Sequence, residues 1–378
     1  MGKQAAFTVI ALLAVGLLLA AGCSRPWRSY EAVLVLSDIA AADSPSRLKH
    51  TTRKPQRITV GYWTDGRMGQ GDLYRPAAET RAALLLIPGV AETGKDDPRL
   101  VAFATTLARA GFAVLVPDLF RLRQLQVSPA DVGEVADAFD WLVSDPCLAP
   151  QGRAGMAAFS YAAGPVLLAA REESIRARVR FVFVVGGYYD LPQVLTFFTT
   201  GYYRHHQQWH YLRPNDYGKW AFVAANLHHL EAANDRRLLR EMAERKQLDP
   251  AAPVADLAAG LGAEGRTLYA LINNRDPQQT PALLAALPAT VRSDLRTLDL
   301  ANKDWSHLAA RVILVHGLDD PMIPFPQSVA LAEALPKGRS KLFLVRGLVH
   351  VDVAPGLPDR WRLWRAVKSL LAARDGKL

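Results

Sequence analysis

Cysteine is scarce in this chain: among 378 residues only Cys23 and Cys147 occur. Two such thiols make no disulfide framework, so the fold must be held by burial and hydrogen bonding. Cys147 follows Asp145-Pro146 with no base beside it, so it reads as a packed or half-exposed thiol rather than a nucleophile. Long hydrophobic runs are scarce too. Ala5 to Ala21 is apolar apart from Thr8 and Gly16, and its length is at or below the lower limit for a membrane-spanning helix. Charge of one sign is nowhere concentrated. The net charge of +9 comes from Arg and Lys scattered among Asp and Glu, without basic clusters interleaved with aromatics, so no nucleic-acid partner is expected. Metal-ligating patterns are missing as well. His206 and His210 have the i, i+4 spacing of one helix face, with His205 beside them, but neither an H-E-x-x-H pattern nor a nearby carboxylate completes a site. His228-His229 is weaker still. No metal and no cofactor are expected, and there is no internal repeat.

What is present is an ordinary globular composition, with 50% hydrophobic and 21% charged residues, in a chain long enough for one large α/β domain with an insertion or for two domains. Tyr30 to Ala42 is an apolar patch that fits a helix or an early strand. Arg57 to Tyr62 alternates with the period of a strand, Asp65-Gly66-Arg67 marks a turn, and Gly71 to Pro76 returns, which together read as a hairpin. From Arg81 the rhythm changes. The runs Ala82–Ile87, Phe112–Val116, Ala154–Phe159, Val179–Val185, Val312–Val315 and Leu342–Val345 are nearly continuous in apolar residues, as strands covered on both faces are. Helical stretches at Pro98–Ala110, Ala130–Val143, Pro165–Arg171, Gln327–Leu335 and Asp359–Ala373 supply the crossovers of a doubly wound α/β order. Between Tyr188 and Trp305 the strand rhythm stops and the chain reads mostly helical, as a cap over the carboxyl edge of the sheet.

The N-terminus has the layout of an export signal: Lys3, the apolar run, then Leu19-Ala20-Ala21-Gly22-Cys23. The ending resembles a bacterial lipoprotein signal, with Ala20 in place of the usual leucine three positions before the cysteine. That resemblance implies that residues 1–22 are removed, that Cys23 is lipidated, and that the membrane is a partner through a lipid anchor, in the bacterial cell envelope. An uncleaved N-terminal anchor is the alternative.

The chemistry centres on Gly155-Met156-Ala157-Ala158-Phe159-Ser160-Tyr161-Ala162-Ala163-Gly164. An apolar strand runs into a lone serine, and a helix-like stretch follows, so Ser160 stands at the apex of a sharp turn. A serine hydroxyl needs a base to take its proton, normally a histidine oriented by a carboxylate. Downstream, His316-Gly317-Leu318-Asp319-Asp320-Pro321-Met322-Ile323-Pro324 follows one buried strand, and His350 lies just beyond another. These segments resemble those of the α/β-hydrolase superfamily, most closely bacterial esterases and dienelactone-hydrolase-like proteins. The serine segment matches the nucleophile elbow G-x-S-x-G with Ala158 and Ala162 in place of both glycines, and the second segment matches the acid loop H-G-x-x-D-x-x-[IV]-P at each named position.

The resemblance implies an α/β-hydrolase fold, with a mostly parallel central sheet, helices on both faces and a helical cap insertion. Its order would be a signal at 1–22, a tether and N-terminal segment at 23–56, the core at 57–187, the cap at 188–306 and the rest of the core at 307–378. It implies a serine hydrolase with Ser160 as nucleophile, His350 as base and Asp320 as acid. Asp319 competes with Asp320, and Asp190 is a third choice. The oxyanion would be held by the backbone N–H groups of Tyr161 and Val90, the latter from the loop Pro88 to Gly94. His316 belongs to the structural His-Gly element. The lactone specificity of dienelactone hydrolase is not carried over, because that enzyme uses a cysteine where this chain has Ser160. The implied substrate is a small ester or other acyl compound, shaped by the aromatics between Tyr188 and Tyr217. A peptidase, a thioesterase and a non-catalytic binding protein of the same fold are the other readings.

Overall fold

The computed structural model describes residues 24–126, 128–349, 352–353 and 356–377. The signal segment, Cys23 and His350 therefore lie outside the described residues. Among those described, no helix is long and apolar enough to cross a membrane.

The chain opens with two helices, α1 (Ser24–Ala41) and α2 (Arg47–Thr51), so the Tyr30 to Ala42 patch is helical rather than a strand. The hairpin β1 (Gln56–Thr64) and β2 (Arg67–Arg75) follows, turning at Asp65 and Gly66, both of which have positive φ. Then strands and helices alternate: β3 (Ala82–Ile87), α3 (Pro98–Arg109), β4 (Phe112–Pro117), α4 (Phe120–Arg123), α5 (Ala130–Ser144), β5 (Ala154–Phe159), α6 (Ala163–Ala169) and β6 (Val179–Val185). After the cap come β9 (Arg311–Gly317), α14 (Pro326–Ala334), β10 (Ser340–Val345), the short pair β11 (Leu348–Val349) and β12 (Asp352–Val353), and α15 (Leu357–Arg374).

The main sheet has eight strands in the order β1-β2-β4-β3-β5-β6-β9-β10. From β4 to β10 every neighbouring pair is parallel; β1 and β2 are antiparallel additions at one edge. The apolar runs are continuous because both faces of each inner strand are covered, and their residues divide alternately between two cores. On β3, Ala83, Leu85 and Ile87 face one core with Val135, Phe139 and Val166, while Ala82, Leu84 and Leu86 face the other with Leu107, Val35 and Leu370. Thus α5 and α6 cover one face, and α1, α3 and α15 cover the other.

The crossover helices start where local chemistry lets them. Asp97 accepts from the Arg99 and Leu100 backbone N–H groups at 2.9 and 3.3 Å, with Pro98 next, and so caps α3. Asp190 accepts from Gln193 N–H at 2.9 Å to start the first cap helix, α7 (Leu191–Thr200), which Gly201 ends at φ +82°.

The cap continues as β7 (Tyr202–His205), β8 (Gln208–Tyr211), α8 (Asp216–Asn226), α9 (Ala233–Leu248), α10 (Ala255–Ala259), α11 (Ala263–Asn273), α12 (Thr280–Ala285) and α13 (Ala289–Leu298). Leu239, Met242, Leu268 and Leu271 of this region join the same core as α5 and α6, so the cap is continuous with that side of the sheet. The β7–β8 hairpin departs from the helical expectation. His206 and Gln207 both take positive φ, +48° and +67°, as a two-residue hairpin turn demands, and the flanking aromatics favour extended backbone. His206 and His210 therefore do not share a helix face: one lies in the turn and the other on β8.

Candidate active site

The strand order reverses direction at β3, since β4 lies on one side of it and β5 on the other. In an open α/β sheet, ligands bind in the crevice beyond the carboxyl ends of such strands. Two segments of interest emerge there, the loop after β3 that begins Pro88-Gly89-Val90 and the turn after β5 that carries Ser160.

Ser160 has φ +54°, a left-handed backbone that a side-chain-bearing residue adopts at a cost. Phe159 before it is extended, and Ser160 to Ala162 form a tight turn that feeds α6. The serine is thus held at the apex between a buried strand and a buried helix. Ala158 and Ala162 are fully enclosed, and their methyl groups are part of the core. The tighter constraint is Gly164, where a β-carbon would run into the phenol of Tyr188. Tyr188 lies past β6, donates its hydroxyl to the Leu298 carbonyl at 2.9 Å, and stacks on Tyr161 with ring centroids 6.1 Å apart. The sequence pattern gave no signal for this contact.

The β3 loop reaches the elbow closely. A β-carbon at Gly89 would stand 3.5 Å from Ser160 Cβ and 3.6 Å from the Phe159 carbonyl oxygen. Val90, the next residue, is half-buried against the first core. Tyr161, whose backbone follows the serine directly, turns its side chain inward. Its hydroxyl is buried without a hydrogen-bond partner among the described residues, and burial, then the neighbouring Tyr188, hold its pKa well above the usual phenol value. Lys95, further along the loop, is taken up by Asp72 and Asp96 at 3.1 and 2.9 Å.

The three candidate acids are in different situations. Asp320 is 1% exposed, and its Oδ1 accepts from the Met322 and Ile323 N–H groups at 2.8 and 3.1 Å. Those bonds fix the carboxylate's orientation at the end of β9. Asp319 is exposed and accepts from Gly347 N–H at 3.2 Å. Asp190 is occupied as the cap of α7, accepting from both the backbone and the side chain of Gln193. His316 is fully buried. Its Nδ1 lies 2.6 Å from the Ser328 hydroxyl and its Nε2 lies 2.8 Å from the Ile323 carbonyl, and the tautomer with the proton on Nε2 satisfies both contacts. Nε2 is also 3.7 Å from Asp320 Oδ2. The His-Gly element thus ties the strand, the acid loop and α14 together.

The segment that leads to His350 is stitched to the same loop. Leu318 N–H donates to the Val345 carbonyl at 2.8 Å, and Gly347 bonds Asp319 as noted. The carboxyl ends of β9 and β10 therefore converge, with Asp320 beyond one and β11, which ends at Val349, beyond the other. His350 itself lies outside the described residues.

The cap's hairpin sits on the acid loop. Phe325, two residues after Ile323, packs edge-on against Tyr203 and His205, with centroids 6.3 and 5.0 Å apart, and Asn215 N–H donates to the Pro321 carbonyl at 2.9 Å. Among the described residues no group of three or more His, Cys, Asp or Glu side chains is arranged to hold a metal ion. A surface depression of about 440 Å³ lined by Arg67, Met68, Gln70, Asp118, Phe120 and Arg121 includes none of the candidate residues.

No family model and no curated protein matches the sequence. Solved structures do. A putative hydrolase from Legionella pneumophila aligns over 86% of this chain and 90% of its own, with a TM-score of 0.54 at 12% identity. Est1E from Butyrivibrio proteoclasticus aligns over 84% of this chain and 99% of its own, with a TM-score of 0.46 at 15% identity. An acylaminoacyl peptidase from Pyrococcus horikoshii aligns over 85% of this chain, with a TM-score of 0.41 at 10% identity, and this chain spans 41% of its length. At such identities the likeness is one of fold. The strand order and the turn at Ser160, together with the likeness to the Legionella protein, show the α/β-hydrolase fold, with a mostly parallel central sheet flanked by helices.

Proposed function

We propose that the protein is a serine hydrolase that cleaves a carboxylic ester through an acyl-enzyme. The observation that carries this reading is the backbone of Ser160, held at φ +54° at the end of β5 where the strand order reverses. A strained conformation persists at a surface turn only where its surroundings enforce it, and such strain concentrates at functional sites. In the proposed reaction His350 takes the Ser160 proton as the hydroxyl attacks the ester carbonyl. The Val90 and Tyr161 N–H groups hold the oxyanion, each contributing about 2.7–4 kcal/mol to the transition state. His350 then gives its proton to the leaving alcohol, and water hydrolyses the acyl-enzyme by the same route in reverse. Asp320 orients the imidazole and stabilises the imidazolium. Its burial and its two backbone donors support it over Asp319 and Asp190.

The test is labelling by a fluorophosphonate probe, beside a panel of p-nitrophenyl esters of rising chain length, aminoacyl anilides and acyl thioesters. The reading expects labelling of wild type, none of Ser160→Ala, and turnover of esters above anilides and thioesters. A folded wild-type protein that takes no label defeats it, and a preference for anilides reassigns it as a peptidase.

We also propose that the protein is exported and held at a membrane by lipid on Cys23. Incorporation of labelled palmitate by wild type and its loss in Cys23→Ala is the expected result.

A further inference from the structure

The α1 helix carries apolar residues on two faces, a buried stripe at Ala32 and Val35 and an exposed one. The charged side chains described on it face the protein: Arg28 pairs with Asp375 at 3.0 Å, Glu31 with Arg374 at 2.7 Å, and Asp38 with Lys49 at 3.1 Å and the Thr106 hydroxyl at 2.6 Å. Its aromatic residues face outward. Trp27, Tyr30 and Val33 are 61%, 38% and 48% exposed, spaced three apart along one stripe, with the Trp27 and Tyr30 rings 5.9 Å apart. An ordinary surface helix turns a polar face to water and keeps its apolar stripe inward; here a second apolar stripe faces outward. No carboxylate of α1 points to the outside, since Glu31 and Asp38 are its only acids and both are buried and paired. Cations stand beside the stripe instead. The Arg47 guanidinium lies 5.7 Å from the Tyr30 ring. Trp364 of α15 donates to the Ser29 carbonyl at 2.9 Å and carries the Lys368 ammonium 4.8 Å over its ring.

Aromatics with basic side chains and no outward acid are the composition of a surface that meets lipid headgroups. The chain itself selects that occupant over a protein partner. Trp27 lies four residues beyond Cys23 and six beyond the end of the apolar run at Ala21. Even a fully extended link from Cys23 spans at most about 14 Å. Any bilayer that holds Cys23 or the apolar run is within reach of Trp27. We propose that the Trp27–Tyr30–Val33 face of α1, with Arg47 and Lys368 beside it, docks the protein on an anionic lipid bilayer. This rests on the membrane anchoring proposed above and is independent of the hydrolase reading.

The test uses the full chain, reconstituted in vesicles of phosphatidylcholine and phosphatidylglycerol whose acyl chains carry bromine, a short-range quencher of tryptophan. Wild type is expected to float with the vesicles and to lose part of its tryptophan emission. Trp27→Phe is expected to float equally and to lose the quenched component, whereas Trp63→Phe and Trp209→Phe, exposed elsewhere on the molecule, retain it. Quenching is expected to fall when phosphatidylglycerol is omitted or salt is raised. If the protein does not float, anchoring and docking fail together. If it floats and Trp27→Phe is quenched like wild type, docking alone is overturned, and covering of the face by a protein partner or second copy takes its place.

Discussion

A β-carbon on Gly317 would collide with the carbonyl oxygen of Leu348. The last residue of β9 and the first of β11 are thus in backbone contact, and this contact sets the spacing between the loop that carries Asp320 and the segment that continues to His350. Gly317→Ala must push the two apart. A misplacement of about 1 Å in a catalytic constellation can cost about 10²-fold in rate, so kcat/KM for an ester is expected to drop by about that factor, while the Ser160 elbow, built on β5, stays formed. On the proposed triad, Asp320→Asn should cost about 10⁴-fold, as loss of the orienting carboxylate does in a Ser-His-Asp triad. Asp319→Asn should cost far less, because among the described residues that side chain bonds a turn amide and no other group. Steady-state kinetics on the three variants checks the order. A larger loss in Asp319→Asn than in Asp320→Asn would exchange the two roles.

The strain at Ser160 can be measured separately from its chemistry. Ser160→Ala and Ser160→Gly both remove the hydroxyl, and with Ser160 as the proposed nucleophile each should lower kcat by about 10⁴-fold or more. Only glycine relieves the left-handed backbone, which costs an L-residue roughly 1–2 kcal/mol. Ser160→Gly is therefore expected to be more stable than Ser160→Ala in denaturant titrations by about 1 kcal/mol, after the entropic cost of glycine in the unfolded chain is subtracted. Equal midpoints would mean that the elbow carries no such strain.

The parts of this architecture that sequence makes legible are those whose environment is uniform. Ala82–Ile87, Ala154–Phe159 and Val179–Val185 read as strands because both faces are covered, and they are strands over those spans. The acid loop is readable because its turn chemistry is local, with Asp320 receiving amides two and three residues ahead. The hairpin at Tyr202–Tyr211 is not readable, since its turn falls on His206-Gln207 rather than on glycine or asparagine, and its strands owe their form to packing on Phe325, far away in sequence. The α1 helix is ambiguous for a related reason. Its apolar residues are divided between a buried stripe at Ala32 and Val35 and an outer one, so neither period stands out.

The elbow glycines illustrate how a motif and a structure differ. The family pattern asks for glycine at 158 and 162, yet the alanine methyls there are buried in the core. Restoring glycine at either position removes a buried methyl and adds backbone freedom, so Ala158→Gly and Ala162→Gly should each lower stability by about 1–2 kcal/mol. Gly164→Ala, outside the pattern, should be the more damaging change. Its methyl has no space against the Tyr188 ring, and overpacking of this kind costs about 1–3 kcal/mol, occasionally more. Thermal melts of the three variants check the ranking, and a Gly164→Ala protein as stable as wild type would show that Tyr188 can move aside.

Asp131, near the start of α5, gives the fold a pH dependence of its own. It is fully buried, and its carboxylate accepts from Ser128 N–H at 3.1 Å and from Arg121 Nε at 3.3 Å. Burial nevertheless outweighs those two partners, and with the nearby Glu134 charge it pushes the pKa up to about 6. In the unfolded chain the group titrates near 3.9. Between those values the folded state holds a proton that the unfolded state has released, so stability falls as pH rises. The contribution is fully present below about pH 4 and is lost as pH passes through 6, by an amount on the order of 2–3 kcal/mol. Asp131→Asn carries a neutral amide throughout and should flatten that slope. Melting curves of wild type and variant at pH 4.5, 5.5, 6.5 and 7.5 are expected to converge or cross, with wild type losing ground to the variant as pH rises. Curves that stay parallel across that range would assign the titration to another group.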